Sequence, residues 1–274
     1  MSADVPEPLT LVAYERLFTA HGGTDFGYLR LHWPRFQATK RLVVQTWRCR
    51  GGRVLDLGAH WLHQSLLFAL DGYDVTAADL PATLDAPSVV ALARTHGIRL
   101  AGIGDLAAPR ALSELASDAF DLVLLGEVIE HLAFNPVGLW RELHRVLVAG
   151  GRIVVTTPNC YALTRRHLQR ARAWLGGGGG IGVDEILATP THGHHWKEYS
   201  RRELERYFAL LSPDFAVRRA LYVEDAAPPG ERPSRRLARA IRRAVPPLRE
   251  RLHVEVELTG KSRGIAIEPR WADR

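Results

Sequence analysis

Short apolar runs that end in polar or small residues recur through the middle of this chain, and a helical pattern separates each from the next. Residues 53–57, 74–79, 98–101, 120–125 and 152–157 read as strands, because each is brief, apolar and bounded by glycine, proline or a charged residue. Residues 62–70 and 88–96 read as helices, ended by Gly72 and Gly97. Asn135 and Pro136 open a further helix that carries Leu139, Leu143 and Val146 on one stripe and closes at Gly150-Gly151. This alternation specifies an α/β fold: a doubly wound, mostly parallel sheet with helices on both faces. Sheets of that kind take ligands outside the carboxyl ends of their strands.

The flanks are less regular. Residues 1–48 read as an N-terminal helical cover, with helices at 9–20 and 34–47 parted by Gly22-Gly23. Residues 49–274 form the main domain, with a lid or insert at 160–200 and a basic insertion at 226–250. The insert holds a basic helix at 163–175 and then Gly176–Gly180, a run that cannot hold one backbone shape cheaply. Ser200 is placed to cap a helix at 201–211, and strands are expected at 215–224, 253–258 and 264–268.

No run of about 18 apolar residues is present, so no transmembrane helix is expected. The first residues lack a signal-peptide pattern, and Cys49 and Cys160 are too few for a disulfide framework. A cytoplasmic localisation is therefore expected. The net charge is +6. Such a balance fits nucleic acid, an anionic membrane surface or an anionic substrate, and equally a chain that solvates its helices with arginine. The segment 235–245 has apolar residues at 237, 241 and 244–245. It is expected to pack that stripe on its own domain with arginines outward, with peripheral membrane or nucleic-acid contact as the alternatives.

Chemistry-bearing residues sit where strands end. Asp56 and Gly58 close the first strand, Asp79 ends the second, and Asp105 follows the third. Glu127, Glu130 and His131 follow the fourth, and would share one face if the chain turned helical there. His192-Gly193-His194-His195 lies downstream, with His195 the first candidate and His194 the second.

These signals, in this order over roughly residues 50–225, resemble class I S-adenosylmethionine-dependent methyltransferases. Phe120-Asp121-Leu122-Val123, and Leu143-His144-Arg145-Val146-Leu147 leading through Gly150-Gly151 to Thr157-Pro158-Asn159, carry the same resemblance. It implies a seven-stranded Rossmann-like sheet with an antiparallel last strand. It also implies S-adenosyl-L-methionine as cofactor, with Asp56, Gly58, Asp79, Asp105 and Glu127 around it, Asp79 on the ribose and Asp105 near the adenine. His60 and Leu62 stand where the family usually carries glycines, so a bulkier turn is expected, with His60 and Trp61 against the pocket. A nicotinamide cofactor is disfavoured, because its glycine triplet is absent. Tyr28, His32 and Arg35 lie on the N-terminal segment that in this family often folds over the pocket; by themselves they read as helix-packing and solvating residues.

Glu127-x-x-Glu130-His131, together with His195-Trp196-Lys197-Glu198-Tyr199, resembles small-RNA terminal 2′-O-methyltransferases, and the first segment also resembles ubiquinone-pathway O-methyltransferases. The first likeness implies that Glu127, Glu130, His131 and His195 bind a divalent metal, Mg²⁺ or Mn²⁺. A metal so held would activate a hydroxyl, with Glu130, His131 and His195 as the catalytic set. The expected function is O-methyl transfer to a small molecule, a sugar or a natural-product phenol or diol. An RNA ribose 2′-O-methyltransferase is the second reading, and a degenerate scaffold that kept the fold is the third.

Overall fold

A computed structural model describes residues 9–46, 51–163 and 183–270. The strands are β1 (Arg53–Leu57), β2 (Asp74–Asp79), β3 (Arg99–Gly102), β4 (Phe120–Gly126), β5 (Leu147–Pro158), β6 (Phe215–Val223) and β7 (Arg251–Leu258). They form one seven-stranded sheet in the order β3-β2-β1-β4-β5-β7-β6. β7 runs antiparallel to both β5 and β6, and every other pairing is parallel. The described helices are α1 (Leu11–Thr19), α2 (Phe26–Thr46), α3 (Ser65–Ala69), α4 (Pro81–Leu84), α5 (Pro87–Thr95), α6 (Val137–Val146), α7 (Val183–Ala188), α8 (Arg201–Leu211) and α9 (Pro233–Ala244).

Alternation along the strands makes two cores. Leu55, Val123, Leu125 and Val155 pack with Trp140 and Leu143 of α6 and Leu204 and Phe208 of α8. Val54, Leu122, Leu124 and Val154 pack on the other face with Tyr14, Phe18, Leu29, Phe36 and Phe68. The expected doubly wound sheet, its antiparallel final strand and the Ser200 cap of α8 are all present, the cap as a reciprocal box with Glu203. No described helix is long and apolar enough to cross a membrane. The expected basic helix at 163–175 and the glycine run Gly176–Gly180 lie outside the described residues, Leu163 apart.

Three expectations are corrected. The second helix begins at Phe26 rather than Pro34, because the Asp25 carboxylate accepts from the Tyr28 backbone N–H at 2.8 Å, and Pro34 lies inside the helix. Residues 264–268 are no strand; the carbonyls of Ile265 and Ile267 accept from the Arg141 guanidinium instead. Finally, α9 lies the other way round from its apolar pattern. Arg239 and Arg242 are buried, and Leu237 is 66% exposed. Arg239 pairs with Glu224 and Glu231, and Arg242 with Glu224 and Glu250.

A buried ion cluster fastens α2 across the carboxyl ends of the strands. Arg251 of β7 donates to Glu127, just past β4, and to Asp225 at 2.8 Å. Arg35 of α2 stands 3.4 Å from Glu127, and His32 of α2 lies 3.3 Å from Asp225. Burial pushes the Glu127 carboxyl up, but the Arg251 and Arg35 charges outweigh it and hold the group below its ordinary value. Burial likewise opposes Asp225, yet the His32 hydrogen bond and Arg251 hold it low.

Removing Arg251 would leave two carboxylates buried without their shared cation. Arg251→Met is expected to lower stability by about 3–5 kcal/mol, and Arg251→Lys by less, as read from urea unfolding midpoints.

Candidate active site

A cleft opens between α2 and the ends of β1, β4 and β5. Tyr28, Arg35 and Thr39 line one side, and Asp56, Gly58, His60, Gly126 and Thr156 line the other. Its floor is the turn after β1. The Gly58 and Ala59 backbone N–H groups both donate to the Ala78 carbonyl, which ties the turn to β2. Gly58 has φ +81°, and a Cβ there would clash with Cγ2 of Val128. Only glycine fits both conditions.

His60 and Leu62 have φ of +48° and +65°. The backbone therefore keeps left-handed residues at the two positions where the resembling family uses glycine. Two contacts hold this shape. The Asp79 carboxylate accepts from the His60 backbone N–H at 2.7 Å, and the Leu62 side chain is fully buried. The His60 and Trp61 rings stack 4.1 Å apart.

Asp56 is buried beneath the turn and accepts from the Ser65 hydroxyl at 2.6 Å. Burial raises its carboxyl to about 6, against the hydrogen bond from Ser65. A cationic ligand group in the cleft would restore the charged form. Across the cleft Arg35 gives one terminal nitrogen to the Tyr28 hydroxyl at 2.9 Å, and its other stands against Glu127. Its Nε is buried and has no hydrogen-bond partner among the described residues.

A second group lies past the ends of β4 and β5. Glu127 has φ +57°, so the chain turns sharply after the strand and residues Ile129–His131 form a single 3-10 turn. The expected shared helical face is therefore absent. Glu127 turns to Arg35, Arg251 and the Thr156 hydroxyl, whereas Glu130 faces the Thr157 hydroxyl at 3.0 Å. Ligand atoms of Glu130, His131 and His195 all lie within 4.8 Å of one another, in a group that does not include Glu127.

The chemistry of this trio suits a cation. Glu130 is fully buried, and its Oε1 has no hydrogen-bond partner among the described residues. Nδ1 of His131 lies 3.1 Å from the His194 carbonyl, which assigns it the proton. Nε2 then offers its lone pair, 4.0 Å from Oε1 of Glu130. The His195 ring meets His131 edge-on at 4.7 Å. Burial, and then the Glu127 charge, push the Glu130 carboxyl well up, and burial pulls His131 down. A divalent ion would meet the orphaned oxygen and the free imidazole nitrogen, and the carbonyl behind His131 is the support such ligands ordinarily have.

The remaining candidates are placed as follows. Asp79 ends β2 beside the turn. Asp105 is exposed after β3 and accepts from the Ala107 backbone N–H; it does not line the cleft. His194 is buried and contributes its carbonyl, and His192 is exposed. Sequence reasoning undervalued Tyr28 and Arg35 and missed Arg251, Thr156 and Thr157. Arg35 and Arg251 stand at opposite ends of the chain, so no local spacing could have joined them.

Residues 55–155 match the family model described as a methyltransferase domain. No curated protein is significantly similar. Among solved structures, a Pyrococcus horikoshii protein matches with a TM-score of 0.55 and 16% identity, covering 89% of this chain and 98% of its own. An S-adenosylmethionine-dependent methyltransferase from Aquifex aeolicus matches with a TM-score of 0.52 and 12% identity, covering 92% and 100%. Another from Mesorhizobium loti matches at 0.52 and 18%, covering 83% and 97%. Residues 55–155 thus match a methyltransferase domain, and the sheet shares the fold of the S-adenosylmethionine-dependent enzymes.

Gly58→Ala is expected to cost about 2–4 kcal/mol through the Val128 clash and the left-handed backbone. Adding Val128→Ala should recover only the clash, which urea unfolding of the single and double variants would show.

Proposed function

We propose that this methyltransferase moves the S-adenosylmethionine methyl group to a hydroxyl of a small molecule with neighbouring hydroxyls, a sugar or a phenolic diol, assisted by a divalent cation. One observation carries the metal half of this reading. The Glu130 Oε1 atom is buried without a hydrogen-bond partner among the described residues and lies with His131 and His195 past the ends of β4 and β5, in a group separate from the residues that line the cleft.

In the cleft, Asp56 would take the cofactor's ammonium group, and the free Nε of Arg35 would take its carboxylate. Asp79 has lone pairs left for ribose hydroxyls beyond its bonds to His60 and Leu80. Gly58 lets the backbone approach. Glu130, His131 and His195 would hold Mg²⁺ or Mn²⁺, a set of hard and borderline ligands suited to either. A bound cation lowers the pKa of an acceptor hydroxyl and neighbouring oxygens can share it. The protein's part is positioning: Thr157 and the His194 carbonyl orient two of the ligands, and α2 closes one wall against water. Trp196, next to His195 and 45% exposed, offers a flat face to a ring-bearing acceptor. Glu127, expected among the ligands, is assigned to the arginines instead.

Two measurements test the reading. Below pH 6 Asp56 carries a proton that must leave before it can pair with an ammonium group, so affinity rises with pH. S-adenosylhomocysteine should bind about tenfold more tightly at pH 7 than at pH 5, and Asp56→Asn should bind weakly with a flat profile in calorimetry. Mn²⁺ binding, followed by electron paramagnetic resonance, should be lost in Glu130→Ala while S-adenosylhomocysteine binding persists. Unchanged Mn²⁺ binding in that variant would remove the metal from the account.

A further inference from the structure

Helix α9 packs with Arg239 and Arg242 inward and its apolar face outward. Its solvent face presents Leu237 at 66%, Ile241 at 40% and Val245 at 43% exposure, with Ala240 and Ala244 between them. At 100° per residue these positions form one continuous aliphatic ridge. Pro246 and Pro247 extend it, and Leu163, whose backbone N–H donates to the Leu248 carbonyl, stands exposed at its end.

In water such a helix lowers its free energy by burying that ridge. Here the opposite face is buried. Arg239 bonds Glu231, Glu224 and the Asp225 carbonyl, and Arg242 bonds Glu224, Glu250 and the Leu163 carbonyl. These contacts lock the apolar side outward. Arg236 and Arg243 stand exposed at one edge of the ridge, and Arg232 and Arg235 are exposed at the start of the helix; none of the four forms an ion pair among the described residues. The helix is 12 residues long, enough to lie in a membrane surface and too short to span one.

We propose that α9 docks this protein on an anionic lipid surface, with Leu237, Ile241 and Val245 entering the acyl boundary and the flanking arginines meeting lipid phosphates. An aliphatic ridge with a cationic rim is the pattern of an interfacial helix, and guanidinium groups on long stems reach headgroups while their stems cover apolar surface. No aromatic side chain interrupts the ridge, so single-stranded RNA would find nothing there to stack on.

The test is sedimentation of the full chain with vesicles of phosphatidylcholine alone, or with about one-third phosphatidylglycerol. The protein should pellet with the anionic vesicles, less so as salt rises. Leu237→Glu/Ile241→Glu should weaken partitioning about tenfold or more, with an unchanged melting temperature because both side chains are exposed. Arg236→Gln/Arg243→Gln should abolish the preference for anionic over neutral vesicles. Failure to pellet with either vesicle, equal binding to both, or full binding by the double glutamate variant would overturn the proposal. A dimer in light scattering that the glutamate variant dissociates would also overturn it, and would assign the ridge to a second copy of the chain.

Discussion

Glu127, held between Arg35 and Arg251, is the contact on which the architecture around the cleft depends. Arg251 comes from β7 and Arg35 from α2, so a single carboxylate joins the N-terminal cover to the far side of the sheet. Asp225 and His32 repeat the link a step away. Assembling such charges in a poorly solvated place costs desolvation, and the geometry recovers it only while every member is present. The same contact decides the local chain path. With Glu127 drawn to the arginines and its backbone left-handed, the next turn delivers Glu130 to the opposite side, against Thr157.

Much of this was legible in the sequence, for definite reasons. Short apolar runs bounded by breakers announced the parallel strands, and the places of Asp56, Gly58 and Asp79 at strand ends followed from the same runs. Three things were hidden. Pro34 looked like a helix start, although the capping carboxylate was Asp25. The spacing of Glu127, Glu130 and His131 looked helical, although one left-handed residue breaks it. The apolar stripe of α9 looked like a core face, because periodicity finds a stripe without saying what opposes it; Glu224, Glu231 and Glu250 pull the other face inward.

The turn after β1 holds a left-handed shape without glycine at two of its positions. His60 and Leu62 hold left-handed conformations that cost about 1–2 kcal/mol each without glycine. Burial of Leu62 and the Asp79 hydrogen bond offset part of that cost, and the cleft floor survives. The turn brings a stacked His60–Trp61 pair to the rim of the cleft. The two carboxylates past β4 thus serve separate ends: Glu127 builds the wall, and Glu130 is left with a buried oxygen that no described residue satisfies.

That division of labour is tested most directly by anomalous diffraction from crystals grown with Mn²⁺. The account predicts one strong peak bounded by Glu130, His131 and His195, with Glu127 still paired to Arg35 and Arg251. A peak liganded by Glu127, or none at the three residues under saturating Mn²⁺, would contradict it.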